Sequence, residues 1–343
     1  MKRIGVIFGG KSGEHEVSLL SATAVIKSMD EKKYEIIKIG ITTQGQWKLF
    51  TGDVDGIASG AWENQAKAMK ISDLMELIDF ALPILHGPYG EDGTIQGLFE
   101  MMDKPYGGCG VLGSSLCMDK VCAKEIFERN NLPTSAYHLV MAEDVADDVE
   151  AVVREVEEAL PYNLFVKPSN MGSSVGISKV RNREELKEAL KLAAKYDRRI
   201  IVEEAINCRE VETGVIGNHD PKVAVVGEIV AKLDFYDYKA KYSDDAGTEL
   251  SIPANISEET SEKIRETARK AYMALDCAGF ARVDFFIDKD TGEIYINEIN
   301  TIPGFTKYSM FPSLWEAAGV PFREQVERII DLGYERYNVK NNR

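Results

Sequence analysis

The sequence has few cysteines and histidines and lacks a long apolar run. Five cysteines and four histidines occur in 343 residues, and the cysteines form no CxxC pair and no Cys/His cluster at zinc-ligand spacing. We therefore expect reduced thiols, as in a cytosolic protein. No stretch reaches the roughly 18 apolar residues of a membrane span. Gly9 and Gly10 end the first apolar run early, which predicts a strand instead of a secretory signal.

Basic residues are also in short supply. The chain has 41 Lys and Arg against 56 Asp and Glu, a formal net charge of −15. Binding to a nucleic-acid backbone depends on Lys and Arg, so we expect no nucleic-acid partner. A small anionic substrate is compatible with this charge if cations are concentrated locally. Hydrophobic residues make up 44% of the chain, which is typical of a globular protein, and the length predicts two or three domains.

Strands and helices alternate along the first third of the chain. Apolar strands at 3–8, 34–42 and 79–85, with a helix from Leu19 to Met29, predict a parallel sheet whose ligand loops lie at the carboxyl ends of its strands. A helix from Met118 to Arg129 then leads into a smaller α+β unit. The predicted domains are residues 1–118, 119–205 and 206–343.

The most informative stretch is RVDFFIDKDTGEIYINEINTIPG, residues 282–304. Two strands around a five-residue loop would place Asp284 opposite Glu298, and Arg282 opposite Asn300, about 5 Å apart. A cluster of oxygen donors among apolar neighbours is costly to bury without a cation. Donors without His or Cys favour Mg²⁺ or Mn²⁺, which share phosphate oxygens with a substrate. A solvated hairpin with a salt bridge is the alternative.

Small residues follow a lysine in KPSNMGSSVGISKV, residues 167–180. A Walker A loop has the reverse order, with glycines before the lysine. Gly172 and Gly176 allow a close backbone approach to an anion, and a flexible linker is the alternative. Near the N-terminus GGKSG is not GxGxxG, and no acidic residue stands at the expected strand end, which disfavours a dehydrogenase.

Together these features resemble the ATP-grasp fold, and within it the D-alanine–D-alanine ligase family over nearly the whole chain. The segments FGGKSGEHEVS, HGPYGEDGTIQG, CMDK, KPSNMGSSVG, FYDYKAKY, ARVDFF, NEINTIPGFT and YSMFP occur in that family's order. The resemblance implies an α/β (α+β) architecture in which an N-terminal parallel-sheet domain joins central and C-terminal α+β domains that clamp ATP. It also implies that a cytoplasmic homodimer joins two D-alanines through a D-alanyl phosphate for peptidoglycan synthesis.

The resemblance further implies roles for particular residues. The catalytic set would be Glu14, Ser173, Tyr242, Arg282 and Gly304, with Arg282 and the Gly304 N–H stabilising an oxyanion. The D-alanines would contact Glu14, His86, Arg282, Asn300, Gly304, Ser309 and Met310. ATP would contact Lys120, Lys167, Ser173, Ser174, Glu203, Ile206, Glu210, Phe235 and Lys241. Two Mg²⁺ ions, or Mn²⁺, would be held by Asp284, Glu298 and Asn300.

Other functions stay open at this point. A ligase that takes D-serine or D-lactate as second substrate would differ near Tyr242 or Met310, and the tyrosine with an apolar methionine favours D-alanine. Another ATP-grasp carboxylate–amine ligase would keep Lys167 and the metal ligands but change the residues around the D-alanines. A non-catalytic nucleotide-binding protein would be expected to lose a metal ligand or Arg282.

Overall fold

The structure is a computed structural model that describes residues 1–172, 175–231 and 248–341. Within these ranges the strands form three sheets. The elements of the first region are β1 Lys2–Gly9, α1 His15–Ser28, β2 Tyr34–Ile41, β3 Trp47–Phe50, α2 Asp55–Ala58, α3 Trp62–Gln65, β4 Lys67–Ala68, a 3₁₀ turn Ile71–Asp73, α4 Leu74–Leu77, β5 Phe80–Ile84, α5 Thr94–Met101 and α6 Val111–Met118.

The first sheet has the strand order β4-β3-β2-β1-β5, and β1 pairs in parallel with both β2 and β5. The predicted parallel sheet is therefore confirmed for these strands, whereas β3 and β4 extend it antiparallel. Ile4, Val6, Ile7 and Phe8 are fully buried, as expected for a strand covered on both faces. The helix α1 begins at His15, four residues before the predicted start. The start was missed because polar residues, His15 and Ser18, occupy buried positions of the first turn, where an apolar pattern does not show them.

Two glycines turn the chain from β1 towards α1. Gly9 and Gly10 both have positive φ, at 85° and 97°. A Cβ on Gly9 would lie 2.3 Å from the carbonyl oxygen of Ile41, so a larger residue cannot stand there without moving the sheet. The loop from Gly10 to Glu14 therefore leaves the carboxyl end of β1, where the alternation of strands and helices predicts ligand contacts.

The second sheet is antiparallel and has the order β6-β9-β7-β8. The elements around it are α7 Lys120–Arg129, β6 Tyr137–Met141, α8 Ala142–Ala159, β7 Leu164–Pro168, β8 Ser178–Val180, α9 Arg183–Ala193 and β9 Arg199–Glu204. The predicted helix from Met118 to Arg129 is wrong at its start. Asp119 leaves the helical conformation with ψ 104°, and its side chain accepts the N–H groups of Val121 and Cys122 to begin α7.

The third sheet is antiparallel and has the order β12-β11-β10-β13-β14. Its region contains β10 Cys208–Ile216, β11 Lys222–Ala231, β12 Thr248–Ser251, α10 Glu258–Ala274, β13 Phe280–Asp288, β14 Ile294–Asn300, α11 Met310–Ala317 and α12 Phe322–Asn341. One apolar cluster contains residues from both ends of the chain, including Phe8, Phe80, Phe305 and Ile330. The first sheet and the C-terminal helices therefore share a core, which brings the loops after β1, β5 and β14 close together. In the described ranges, no helix combines the length and the apolar character needed to cross a bilayer.

Candidate active site

A cavity of about 940 Å³ is lined by residues from all three predicted domains. The loops after β1 and β5 contribute Glu14 and His86, and the second region contributes Lys120 and Lys167. The third region supplies its largest set of predicted site residues, which are Glu210, Arg282, Asp284, Glu298, Asn300, Gly304, Ser309 and Met310. Residues far apart in sequence thus meet around one space, which is large enough for a nucleotide and small substrates.

The hairpin of β13 and β14 forms one wall of this cavity. Arg282 pairs with Asn300 and Asp284 pairs with Glu298, so both predicted pairings are confirmed. The Asp288 N–H donates to the carbonyl oxygen of Glu293, so the connecting loop closes over four residues and not over the predicted five. The register then shifts by one residue, because Phe285 pairs with Ile296 and leaves an extra residue between the paired positions. This bulge was not predicted. Bulges commonly redirect side chains beside active sites, and here four consecutive residues from 297 to 300 line the cavity.

Arg282 lies between two carboxylates. Its Nε and Nη2 donate to Oδ1 and Oδ2 of Asp284 at 2.7 Å each. Its Nε also lies 2.8 Å from Oε2 of Glu212, which is opposite Asp284 in the β10–β13 pairing. Asn300 Nδ2 donates to Asp284 Oδ2 at 2.9 Å. The guanidinium is thereby fixed at the cavity wall by two charged hydrogen bonds to Asp284, with the Glu212 carboxylate beside it as an ion-pair partner.

The loop after β14 brings the Gly304 backbone to the cavity. The N–H of Ile302 donates to Glu91, that of Phe305 to Ser21 and that of Thr306 to Ser309. Pro303 has no N–H. In the described part of the chain, the Gly304 N–H makes no hydrogen bond, although Gly304 lines the cavity. Gly304 and Arg282 both line this cavity, and a backbone N–H together with a guanidinium is a donor pair of the kind that stabilises a developing oxyanion.

His86 holds this loop in place from the first region. It is only 3% exposed, and its Nδ1 lies 2.7 Å from the carbonyl oxygen of Ile302 while its Nε2 lies 2.9 Å from Ser21 Oγ. Since a carbonyl only accepts, Nδ1 carries the proton and the neutral ring accepts from the serine at Nε2. Burial lowers the pKa of His86, which favours this neutral form.

The Glu14 carboxylate meets the base of the Ser/Gly loop. A Cβ on Gly172 would lie 2.6 Å from Glu14 Oε1, and one on Gly87 would lie 3.0 Å from the same oxygen. Glycine at both positions lets the carboxylate pass between the loop after β5 and the loop after β7. Glu14 therefore lies beside Gly172, at the start of the Ser/Gly loop.

Lysines dominate the opposite end of the cavity. Glu203 is buried on β9 and pairs with Lys167 on β7, while Lys124 Nζ lies 3.4 Å from its second oxygen. Although burial acts to raise it, these two lysines hold the pKa of Glu203 at about 2. Lys120 Nζ donates to the carbonyl oxygen of Met171 at 3.0 Å and lies 3.4 Å from Glu298 Oε2. Lys120 and Lys167 line the cavity, so positive charge is concentrated there despite the acidic composition of the chain.

Comparison with known proteins agrees with this geometry. A family model described as the N-terminus of D-ala D-ala ligase matches residues 3–109, and the model of its C-terminus matches residues 126–331. The D-alanine–D-alanine ligase of Acetivibrio thermocellus is 49% identical, over 98% of this chain and 97% of its own length. The chain belongs to the D-alanine–D-alanine ligase family.

Two solved structures place the whole fold in this ligase family. The VanG D-Ala:D-Ser ligase from Enterococcus faecalis has a TM-score of 0.88 and 38% identity, covering 97% of this chain and 99% of its own. The D-alanine–D-alanine ligase from Coxiella burnetii has a TM-score of 0.86 and 32% identity, covering 100% and 98%. The predicted fold class and the predicted family are therefore confirmed.

Not every residue predicted from the family pattern lines the cavity. Glu203 is buried and pairs with Lys167, and Ile206 is half-buried; neither residue lines the cavity. His86 has both ring nitrogens bonded to protein groups, so a substrate contact through either nitrogen requires one of these bonds to open. Five predicted residues lie outside the described residues: Ser173, Ser174, Phe235, Lys241 and Tyr242.

Three residues near the cavity were not predicted from the sequence. Glu91 and Glu212 approach it through pairings between distant segments, which local patterns do not show. Lys124 is 1% exposed and also donates to Thr134 Oγ1 and Ser135 Oγ at 2.7 and 2.8 Å. It follows Lys120 by four residues on α7, so the two side chains lie on the same face of the helix, and this spacing could have predicted that Lys124 lies near the site.

The side chains on this wall have the oxygen donors that a hard divalent cation prefers. Three carboxylates, Glu212, Asp284 and Glu298, line the cavity wall with Arg282 and Lys120, and oxygen-only donors suit Mg²⁺ or Mn²⁺. Across the described ranges, no three His, Cys, Asp or Glu side chains are gathered around one point in ligand geometry. Asp284 gives both oxygens to Arg282, so binding a metal there requires Asp284 to exchange at least one of these hydrogen bonds.

Proposed function

We propose that the protein is an ATP-dependent ligase that joins two D-alanines into D-alanyl-D-alanine, releasing ADP and phosphate. Family membership supports ATP and D-alanine as substrates. The single observation that carries the proposal is the shared cavity of Arg282 and the Gly304 N–H, with lysines at one end and carboxylates at the other. This arrangement fits a reaction in which a phosphoryl group leaves ATP and a tetrahedral oxyanion then forms.

The first half-reaction joins a D-alanine carboxylate to the γ-phosphoryl group and releases ADP. Both reactants are anionic, so catalysis depends on positioning and on neutralising phosphate charge. Lys120 and Lys167 would provide positive charge for the phosphates, and Glu14 would bind the ammonium group of the D-alanine. Asp284, Glu298 and Asn300 would hold Mg²⁺ or Mn²⁺, which lowers the charge repulsion between ATP and the attacking carboxylate.

In the second half-reaction the amine of another D-alanine attacks the acyl phosphate. The carbonyl oxygen gains negative charge, and Arg282 and the Gly304 N–H would stabilise it as donors already in position. Phosphate then leaves and the peptide bond remains. The acyl phosphate is easily hydrolysed, so closure of the loop that begins at Gly172 would protect it by excluding water.

The residues beside Ser309 favour D-alanine over D-serine as the second substrate. The relative of 38% identity named a D-Ala:D-Ser ligase makes D-serine the specific alternative. Ser309 lines the cavity beside Met310, whose side chain is apolar and 5% exposed. An apolar neighbour fits a methyl group better than a hydroxymethyl group, which needs a hydrogen-bond partner when buried. Following the family resemblance, we also propose a cytoplasmic homodimer.

The deciding experiment measures phosphate release from ATP and Mg²⁺ with D-alanine alone, then with D-alanine plus D-serine or D-lactate, and identifies the products by mass. We expect D-alanyl-D-alanine from D-alanine alone, no product from L-alanine, and loss of activity with a chelator that is restored by Mg²⁺ or Mn²⁺. Phosphate release only with a mixed pair would mean that the second substrate is D-serine or D-lactate and not a second D-alanine. No turnover with any D-amino acid would overturn the ligase proposal.

A further inference from the structure

Glu91 connects two loops that are distant in sequence. Its Oε1 accepts the N–H of Gly87 at 2.9 Å, and its Oε2 accepts the N–H of Ile302 at 2.8 Å. The residue is 9% exposed, and 211 residues separate it from Ile302. Both side-chain oxygens therefore accept from backbone donors, one in the loop after β5 and one in the loop after β14.

Two further side chains of the first region hold the same loop. His86 donates to the carbonyl oxygen of Ile302, and Ser21 accepts the N–H of Phe305 at 3.2 Å while it bonds to His86 Nε2. Ile302 is thus held at both its N–H and its C=O. The peptide groups that precede Pro303 and follow Gly304 are thus held from the first region, although the Gly304 N–H itself makes none of these bonds.

This arrangement restricts the directions that the Gly304 N–H can take. Pro303 has a restricted φ, so few torsions remain between the held groups of Ile302 and Phe305. Arg282 is fixed separately, by Asp284 and Glu212 on the sheet. The alignment of the two oxyanion donors therefore depends on how the first region holds the loop after β14.

We propose that Glu91 is a positioning residue that aligns the Gly304 N–H with Arg282 for oxyanion stabilisation. The proposal rests on the proposed ligase function and assigns Glu91 no bond to the substrates. Misplacement of a catalytic donor by about 1 Å costs on the order of 100-fold in rate. Loosening this loop should therefore reduce the rate of the chemical step and leave nucleotide binding unchanged.

The test is the isosteric variant Glu91→Gln. An amide offers one acceptor oxygen, and its NH₂ would face a backbone N–H, so one of the two loop bonds is lost in either orientation. We expect kcat to fall by about 10- to 100-fold, with the KM for ATP unchanged. A tetrahedral phosphonate analogue of the dipeptide should lose affinity by a similar factor, because its oxygen occupies the place of the oxyanion.

Asp92 provides a matched control in the same loop. Its carboxylate also accepts two backbone N–H groups, from Tyr89 at 2.8 Å and Thr94 at 2.9 Å, and both donors belong to its own loop. Asp92→Asn should therefore leave kcat and analogue affinity unchanged. Amide hydrogen exchange gives a readout independent of activity: the amide that loses its acceptor, Ile302 or Gly87, should exchange faster in Glu91→Gln, and neither should in Asp92→Asn.

The outcomes separate the inference from the proposed function. Unchanged kcat in Glu91→Gln, or unchanged exchange at both Ile302 and Gly87, would overturn the inference. A wild type that still forms the dipeptide would keep the proposed function. Equal losses in Glu91→Gln and Asp92→Asn, with a higher KM for ATP, would reduce Glu91 to a general structural role. If the wild type makes no dipeptide, the function fails, and the exchange measurement still tests the loop contact. Should Glu91→Gln not fold, Ser21→Ala releases the Phe305 N–H and is expected to reduce kcat in the same direction.

Discussion

The two ends of the cavity solve the problem of buried charge in opposite ways. At one end a cation, Arg282, lies between the carboxylates of Asp284 and Glu212. At the other end a carboxylate, Glu203, lies between Lys167 and Lys124. A buried charge is stable only when partners compensate for its lost hydration. The first arrangement leaves excess negative charge, which suits a divalent cation, and the second leaves excess positive charge, which suits phosphate.

The two ends also differ in how they are built. Arg282, Asp284 and Glu212 stand on adjacent strands of one sheet, where the pairing register fixes their spacing. Lys124 belongs to α7, whereas Lys167 and Glu203 belong to paired strands of the second sheet. The carboxylate-rich end therefore depends on register, and the lysine-rich end depends on how a helix packs against a sheet. Substitutions at the first end should affect chemistry, and substitution of the buried Glu203 at the second should mainly affect stability.

Arg282→Ala should have the largest effect. Removing the guanidinium eliminates one oxyanion donor and leaves two carboxylates facing each other, so we expect kcat for phosphate release with D-alanine to fall about 100- to 1,000-fold. Arg209→Ala is the control, because Arg209 pairs with Glu228 at 2.7 and 2.6 Å on the same sheet and is outside the cavity lining. Equal losses of kcat in both variants would mean that the effect comes from a disturbed sheet and not from the missing oxyanion donor.

Glu203→Gln should mainly change stability. With a folded-state pKa of about 2 against an ordinary value of 4.5, the ionised carboxylate contributes stability that is fully present above pH 4.5 and is lost as the pH falls towards 2. The contribution is on the order of 3 kcal/mol. Urea unfolding should show this deficit for Glu203→Gln at pH 7, and the gap to wild type should narrow below pH 4.5.

The neighbouring Glu204 supplies the control for that experiment. It is exposed on the same strand, so Glu204→Gln should change the free energy of unfolding by about 0.5 kcal/mol or less. If Glu203→Gln instead lowers kcat as strongly as Arg282→Ala while stability stays constant, the proposed division between a chemical end and a stabilising end is wrong.

Glu212→Gln should have the smallest effect of the three. The variant weakens one charged contact, worth about 1.5 to 3 kcal/mol, while Arg282 keeps both bonds to Asp284. We expect kcat to fall roughly tenfold, as measured by dipeptide formation, and Glu228→Gln on the adjacent strand provides the matched comparison. A loss as large as that of Arg282→Ala would mean that Glu212, and not Asp284, fixes the guanidinium.

The hairpin of β13 and β14 shows how much of the site local sequence could predict. Alternation along the strands and an assumed five-residue loop placed Asp284 opposite Glu298 and Arg282 opposite Asn300, and both pairings are observed. The bulge after Asp284 escaped prediction, because an extra unpaired residue depends on packing against neighbouring elements. The helix boundary at Asp119 was missed for a related reason, since its side chain forms a cap that an apolar pattern does not reveal.

The sequence by itself determined the alternating architecture, the carboxylate hairpin and, through the order of its motifs, the ligase family. These features depend on residues close in sequence, where side-chain spacing follows directly from strand or helix geometry. Only the tertiary structure brought Glu212 to Arg282, Lys124 to Glu203 and Glu91 to the loop after β14. These contacts join segments separated by tens to hundreds of residues, and they form because buried charges and backbone donors need partners wherever the packed core places them.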